Sequence, residues 1–292
     1  MRNFISEDDI EQAILQKLEG DPFQYGILRC DPSPDKRELL PDGTGRSSKK
    51  ECVLPLILRE ALARLNPDIP GEKLEEIARD LCRDFSATDM TATNYKYYNQ
   101  IRNGIKISLR RNGKEDFDFV KLVDFDRPEN NTFTAVSQMW IQGRVYWRRP
   151  DVLIFINGLP MVFVELKNSI VKVEEAYNDN LKNYLRDIPN LFALNQICVL
   201  SNGLETRLGA FNATYNHFFE WLKVDSEKER PDRQALKEAG TVGESSVRYF
   251  IDGLLQKGRL IDYIENFIMF RNQKNKIIAK NHQYFGVNNL ME

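Results

Sequence analysis

The stretch from Arg148 to Asn168, RRPDVLIFINGLPMVFVELKN, leaves the chain few ways to fold. Two apolar runs, Val152 to Ile156 and Met161 to Val164, flank a break at Asn157-Gly158-Leu159-Pro160. Each run is too short for a helix and rich in β-branched and aromatic residues, which predicts a β-hairpin. Both runs are apolar at every position, so both faces of the hairpin need cover and it belongs at the centre of a sheet. Asp151 opens the first strand, and Glu165 and Lys167 close the second. Three ionisable groups therefore stand at the open end of a buried strand pair, where unpaired charge is costly.

Register decides whether they meet. A strict two-residue Asn-Gly turn pairs Asp151 with Val164 and sends the two carboxylates to opposite faces. A three-residue loop, Asn157 to Leu159, or a bulge pairs Asp151 with Glu165, and Lys167 follows on the same face. We expect that second geometry. Two carboxylates can hold a hard cation such as Mg²⁺, and a lysine beside them can orient or deprotonate a water, which is the equipment of metal-assisted hydrolysis. An exposed strand end with ordinary charges is the plainer alternative; the doubly apolar strands argue against it.

Composition narrows the class. The 292 residues suffice for one large domain or two. Lys and Arg number 41 against 43 acidic residues, so no global charge draws the chain to nucleic acid, and any such binding must be local. Cys30, Cys52, Cys82 and Cys198 have no CxxC spacing, which argues against zinc and disulfides and fits a reducing cytoplasm. No run of about 18 apolar residues predicts a membrane span. His217 and His282 lie far apart in sequence, against a histidine triad.

The remaining chain reads as α/β. Ser6 and Asp9 form a capping box for a helix from Glu7 to Gly20, with Glu11 beyond the first turn on the face of Ile14, Leu15 and Leu18. Residues 21 to 50 read as loop with a short strand near Tyr25 to Leu28, and helices are expected over Cys52–Leu65 and Gly71–Phe85. Thr91 to Arg111 reads as one basic helix carrying Lys96, Arg102, Lys106, Arg110 and Arg111 among Tyr95, Tyr97 and Tyr98. Asp116–Asp126 and Thr132–Trp140 read as strands joined by a turn at Arg127–Asn131, leading to Arg144, Arg148 and Arg149 just before Asp151. A helix from Val173 to Asp187 follows, with Tyr177, Asn180, Leu181 and Tyr184 on one face, then strands at Asn195–Leu200 and Glu205–Phe211. This order predicts a mixed α/β (α+β) core, a central mixed sheet flanked by helices. A charged run from Asp225 to Arg233 predicts a junction, and Leu260–Phe270 an amphipathic helix. No G-x-x-x-x-G-K-[ST] occurs in the chain.

Pro150-Asp151, a 13-residue gap and Glu165-x-Lys167 resemble the PD-(D/E)xK nuclease superfamily. RRPDVLIFINGLPMVFVELKN, NQICVLSNGLETRLGAF (195 to 211) and FFEWL (218 to 222) resemble the N-terminal nuclease domain of the R subunit of type I restriction-modification enzymes. IIAKNHQYFGV (277 to 287) resembles the entry into that subunit's superfamily 2 helicase motor. The resemblance implies Asp151 and Glu165 on Mg²⁺ (or Mn²⁺), the Leu166 carbonyl as a further ligand and Lys167 on the attacking water. It implies Glu11 as the acid of the first helix, and Asn180 and Tyr184 at a Gln-x-x-x-Tyr pair whose glutamine is here the shorter asparagine. Arg144, Arg148 and Arg149 become DNA-contact candidates, and Gln283 stands where an adenine-contacting glutamine is expected. The organisation implied is a PD-(D/E)xK endonuclease domain over 1–222, a helical connector over 223–256 and the start of the motor over 257–292. A longer subunit would cleave double-stranded DNA while pumping it with ATP, in a cytoplasmic complex with methylation (M) and specificity (S) subunits; this stretch, lacking the Walker A loop, is not expected to hydrolyse ATP. A non-catalytic DNA-docking module and a stand-alone repair nuclease are the alternatives.

Overall fold

The computed structural model describes residues 4–83, 89–111 and 114–291. Its centre is a sheet of seven strands, β1 (Gly26–Arg29), β2 (Phe133–Ser137), β3 (Val152–Ile156), β4 (Leu159–Leu166), β5 (Ile197–Ser201), β6 (Thr206–Gly209) and β7 (Phe219–Glu220), lying side by side in chain order. The pairs β1–β2 and β4–β5 are parallel and the other neighbours antiparallel. Parallel neighbours need long crossovers, and those two connections carry most of the helices that cover the sheet. The expected mixed α/β architecture is the one observed.

The hairpin β3–β4 holds the two innermost positions on its side of the sheet, and every residue of both strands is buried. Val152, Ile154 and Ile156 face a core built with the first helix (Glu7–Glu19) and the helix Pro55–Leu65; Leu153, Phe155 and Phe163 face a second core under Val173–Asp187 and Asn190–Leu194. The first helix begins at Ser6 with the expected capping box and closes at Gly20.

The turn is not a three-residue loop. Asn157 and Gly158 form a two-residue turn with φ of 52° and 79°, and Ile156 pairs with Leu159. Two consecutive positive φ values give the twist a tight hairpin requires. The register then slips: Phe155 pairs with Pro160 but Ile154 with Val162, so Met161 is an extra residue. Pro160 has no N–H to give to a ladder, which suits the edge of a bulge. The Met161 carbonyl is taken instead by the Gln196 N–H at 2.7 Å, with Asn195 Nδ2 at 3.3 Å. Those two residues are held in turn by the buried ammonium of Lys276, 2.8 Å from Asn195 O, 2.8 Å from Gln196 Oε1 and 3.0 Å from Asn94 Oδ1. Burial pushes the Lys276 pKa well down, and three oxygen acceptors offset that cost.

Three other expectations are corrected. The basic helix is a helix only over Met90–Asn103; Gly104, at φ +81°, ends it, and Ile105–Arg111 is a strand. That strand pairs with Lys114–Val120, so the expected strands on either side of Arg127–Asn131 do not pair with each other, and β2 pairs with β3 instead. Lys96 and Arg102 therefore stand on a helix, and Lys106 and Arg110 on a separate hairpin. The amphipathic C-terminal helix stops at Asn266, and a hairpin, Ile268–Arg271 with Asn275–Ile278, follows before a last helix, Asn281–Met291. The expected end of the second early helix at Phe85 lies outside the described residues.

Residues 246–285 pack on the main core through Val247, Phe250, Ile251, Tyr263, Tyr284 and Phe285, while Tyr25 Oη donates to Leu255 O at 2.7 Å. A Cβ on Gly158 would meet Leu54 O at 2.6 Å and Leu58 N at 2.8 Å, both backbone atoms, at a φ that disfavours any side chain. Gly158→Ala is therefore expected to cost at least about 2 kcal/mol in chemical denaturation; a variant as stable as the parent would show that the turn can relax.

Candidate active site

The bulge sets what the hairpin presents at its open end. Val152 pairs with Val164, so Asp151, one step further, stands opposite Glu165 on the Phe163 face. Without the extra residue Asp151 would oppose Val164 and the carboxylates would part. The Leu166 N–H donates to Asp151 Oδ2 at 2.7 Å, which joins the two strands beyond their last ladder pair. Lys167 follows on the same side: its Nζ donates to Leu166 O at 3.1 Å and lies 3.6 Å from Glu165 Oε1.

The helix over this end is wound in two ways. Ala176–Leu181 has π geometry between the α segments Val173–Glu175 and Lys182–Asp187. Such an inserted residue shifts which side chains face the sheet. Asn180 lies in the π stretch and its amide donates to Glu165 Oε1. Tyr184, one turn on, packs edge-to-face on Phe163 at 5.2 Å and donates its hydroxyl to Arg149 O at 2.9 Å. The Tyr184 hydroxyl also stands against the Glu165 carboxylate. Glu165, only 2 % exposed, keeps Oε2 buried and without a hydrogen-bond partner.

The electrostatics follow. Burial, and then the neighbouring Asp151 carboxylate, hold the Glu165 carboxyl well above its ordinary range, with Lys167 opposing. Burial likewise pushes Asp151 up to about 6 against the Leu166 N–H and Lys167. Two carboxyls of this kind resist ionising together unless a cation joins them. The donor set fits one: two carboxylates, one with an unpaired buried oxygen, and a main-chain carbonyl, all hard oxygen ligands. Two of those oxygens already share the positive charge of Lys167.

The other expected residues divide. Glu11, 6 % exposed, is on the first helix and is raised by burial; it reaches the acids through Gln138, whose Nε2 donates to Glu11 Oε2 and lies 3.4 Å from Asp151 Oδ1. Among the described residues no three acids, histidines or cysteines converge as a metal cage. Arg148 is bound to Asp187 at 2.8 Å; Arg149 donates to Pro32 O and lies 5.1 Å over the Trp140 ring; Arg144 is exposed. The two inner arginines thus have partners of their own. Gln283 is elsewhere: its Oε1 accepts from Lys280 N at 2.8 Å at the start of the last helix, and it lines a cavity of about 810 Å³ with Phe267, Ile268, Met269 and Ile277. Gln138 carries no pattern in the sequence that would single it out.

An acid pair with a lysine, at the end of a central hairpin in a mixed sheet flanked by helices, is consistent with a nuclease-like core. The sequence model of the family "Type I restriction enzyme R protein N terminus" matches residues 4–217. The type I restriction enzyme HindI endonuclease subunit of Haemophilus influenzae is 31% identical over 99% of this chain and 26% of its own length. The putative MjaIXP endonuclease subunit of Methanocaldococcus jannaschii is 30% identical over 95% of this chain and 27% of its own. A Staphylococcus aureus endonuclease subunit, SauCOLORF180P, is 33% identical over 40% of this chain. The chain belongs to the family of type I restriction enzyme R protein N-terminal regions, and it spans about a quarter of the length of the first two relatives.

The Asp151 shift has a stability consequence. Its carboxyl stays protonated longer in the fold than in the unfolded chain, so between about pH 4 and 6 the native state binds more protons and stability falls as pH rises. Asp151→Asn removes that loss. In chelator it should be more stable than the parent by about 2 kcal/mol at pH 8, with the gain vanishing near pH 4. Denaturation at both pH values checks this; a pH-independent difference would rule out burial of the carboxylate as the cause.

Proposed function

We propose that this chain is the cutting part of a type I restriction R subunit, a PD-(D/E)xK endonuclease that hydrolyses double-stranded DNA with Mg²⁺. One observation carries the reading: Asp151, half-buried, stands opposite the buried Glu165, Glu165 Oε2 is unpaired, and Lys167 Nζ lies against Glu165 and Leu166 O. Asp151, Glu165 and the Leu166 carbonyl would hold the cation. Mg²⁺, or Mn²⁺ in its place, supplies Lewis acidity and charge to the phosphate under attack.

The chain's own residues do the rest. Lys167 positions the attacking water and lends its positive charge to the same side of the phosphate. Asn180 holds the Glu165 carboxylate by one oxygen and leaves the other for the cation. Tyr184 ties the Arg149 carbonyl, two residues before Asp151, to the covering helix. Fixed ligands need such support to keep their geometry. Glu11 enters through Gln138, so its part is indirect.

In a longer subunit residues 1–222 would be the nuclease, 223–256 the connector and 257–292 the first elements of an ATP-driven translocase, with Gln283 toward adenine. M and S subunits would choose the DNA site, in the cytoplasm. The identity with endonuclease subunits about four times as long supports this organisation.

In the intact assembled enzyme, Asp151→Ala and Lys167→Ala should each abolish DNA cleavage, by 10²-fold or more, while ATP turnover continues. Cleavage that persists in both variants would sink the assignment. Calorimetric titration with Mn²⁺ separates a nuclease from a docking module: the parent should bind and Glu165→Ala should not.

A further inference from the structure

Gln138 pays a conformational cost that nothing in the sheet requires. It follows β2 directly, and its backbone is left-handed at φ +57°. Non-glycine residues hold that conformation only where their surroundings over-determine it. Its N–H donates to Asp151 O at 3.0 Å, and its Nε2 donates to Glu11 and lies 3.4 Å from Asp151 Oδ1. The other end of the same amide, Oε1, is buried with no partner. The amide is therefore oriented by the two acids and not by the rest of its pocket, because a flip would satisfy neither acid.

This chemistry suits one task. An amide nitrogen carries two protons and can serve two carboxylates at once without adding charge. A lysine there would neutralise the site, and an asparagine would fall a methylene short. Main chain and side chain of Gln138 both grip Asp151, one at its carbonyl and one at its carboxylate. The first helix packs on the Val152 face of the hairpin while Asp151 lies on the Phe163 face, and this amide hydrogen-bonds to an acid of each.

We infer that Gln138 is a positioning residue that clamps Glu11 to Asp151, so that Glu11 acts on cation binding through the Gln138 amide and not as a ligand of its own. The inference rests on the metal-binding reading of Asp151 and Glu165 given above.

The test is Mn²⁺ calorimetry on Gln138→Met, Gln138→Leu, Glu11→Gln and the Gln138→Met/Glu11→Gln double variant, with Asp151→Ala as control. Gln138→Met removes both amide groups at nearly constant shape; Gln138→Leu also removes the donor without adding charge, and it stands in should the methionine variant fail to fold. Each single variant at 138 should weaken Mn²⁺ binding by about 10- to 100-fold. Glu11→Gln should weaken it in the parent but add nothing in the Gln138→Met background. In the assembled enzyme kcat should fall with the KM for DNA unchanged, and the melting temperature of Gln138→Met in chelator should not drop. Parent-like Mn²⁺ binding in both 138 variants, with binding lost in Asp151→Ala, overturns the clamp alone. A full Glu11→Gln effect in the Gln138→Met background also overturns it, making Glu11 an independent ligand. Binding that survives Asp151→Ala overturns the metal site and the clamp with it.

Discussion

A single extra residue governs the geometry of this chain. The bulge at Met161 shifts the register of the central hairpin by one, and with a side-chain period of two that shift decides which face receives Asp151. A bulge inside a sheet leaves a carbonyl without its ladder partner, which must be satisfied locally. Here Gln196 and Asn195 do so from the neighbouring strand's entry, and Lys276 fixes both from a hairpin 80 and 81 residues further along the chain. The bulge of the hairpin and the C-terminal segment are thus parts of one hydrogen-bonded arrangement.

At the open end of the same hairpin two acids stand together, Glu165 buried and Asp151 half-buried. Each would raise the other's pKa in any low-dielectric setting, and burial adds to the effect. The fold tolerates them because their oxygens are mostly engaged, by the Leu166 N–H, Asn180, Gln138 and Lys167, with one conspicuous exception at Glu165 Oε2. Polar groups left unpaired in an otherwise satisfied cluster are where a ligand is expected.

Local rules accounted for the elements they govern. Ser6 and Asp9 capped the first helix, Pro189 followed the helix over the site, and doubly apolar strands lay at the sheet's centre. Reading failed where a local signal was ambiguous. Basic residues continue past Gly104, which fits one helix as well as the observed helix and strand; and the segments on either side of Arg127–Asn131 pair elsewhere, Phe133–Ser137 with Val152–Ile156 and Lys114–Val120 with the strand before it. Arg148 and Arg149, expected as DNA-contact candidates, engage Asp187 and Pro32, partners far away in sequence, and Arg149 also lies over Trp140.

What the sequence by itself determined is the short-range chemistry: a buried hairpin, a two-residue Asn-Gly turn or its near alternatives, and acids with a lysine at its end, since strand length, side-chain alternation and turn preference depend on neighbours a few residues apart. Only the tertiary structure decided that a bulge and not a longer loop restores the register, that Asn180 reaches Glu165 from a π-wound turn, and that Gln138 stands between Glu11 and Asp151. Those outcomes depend on hydrogen bonds between groups that the chain brings together from 13 to 127 positions apart, and no local pattern encodes them.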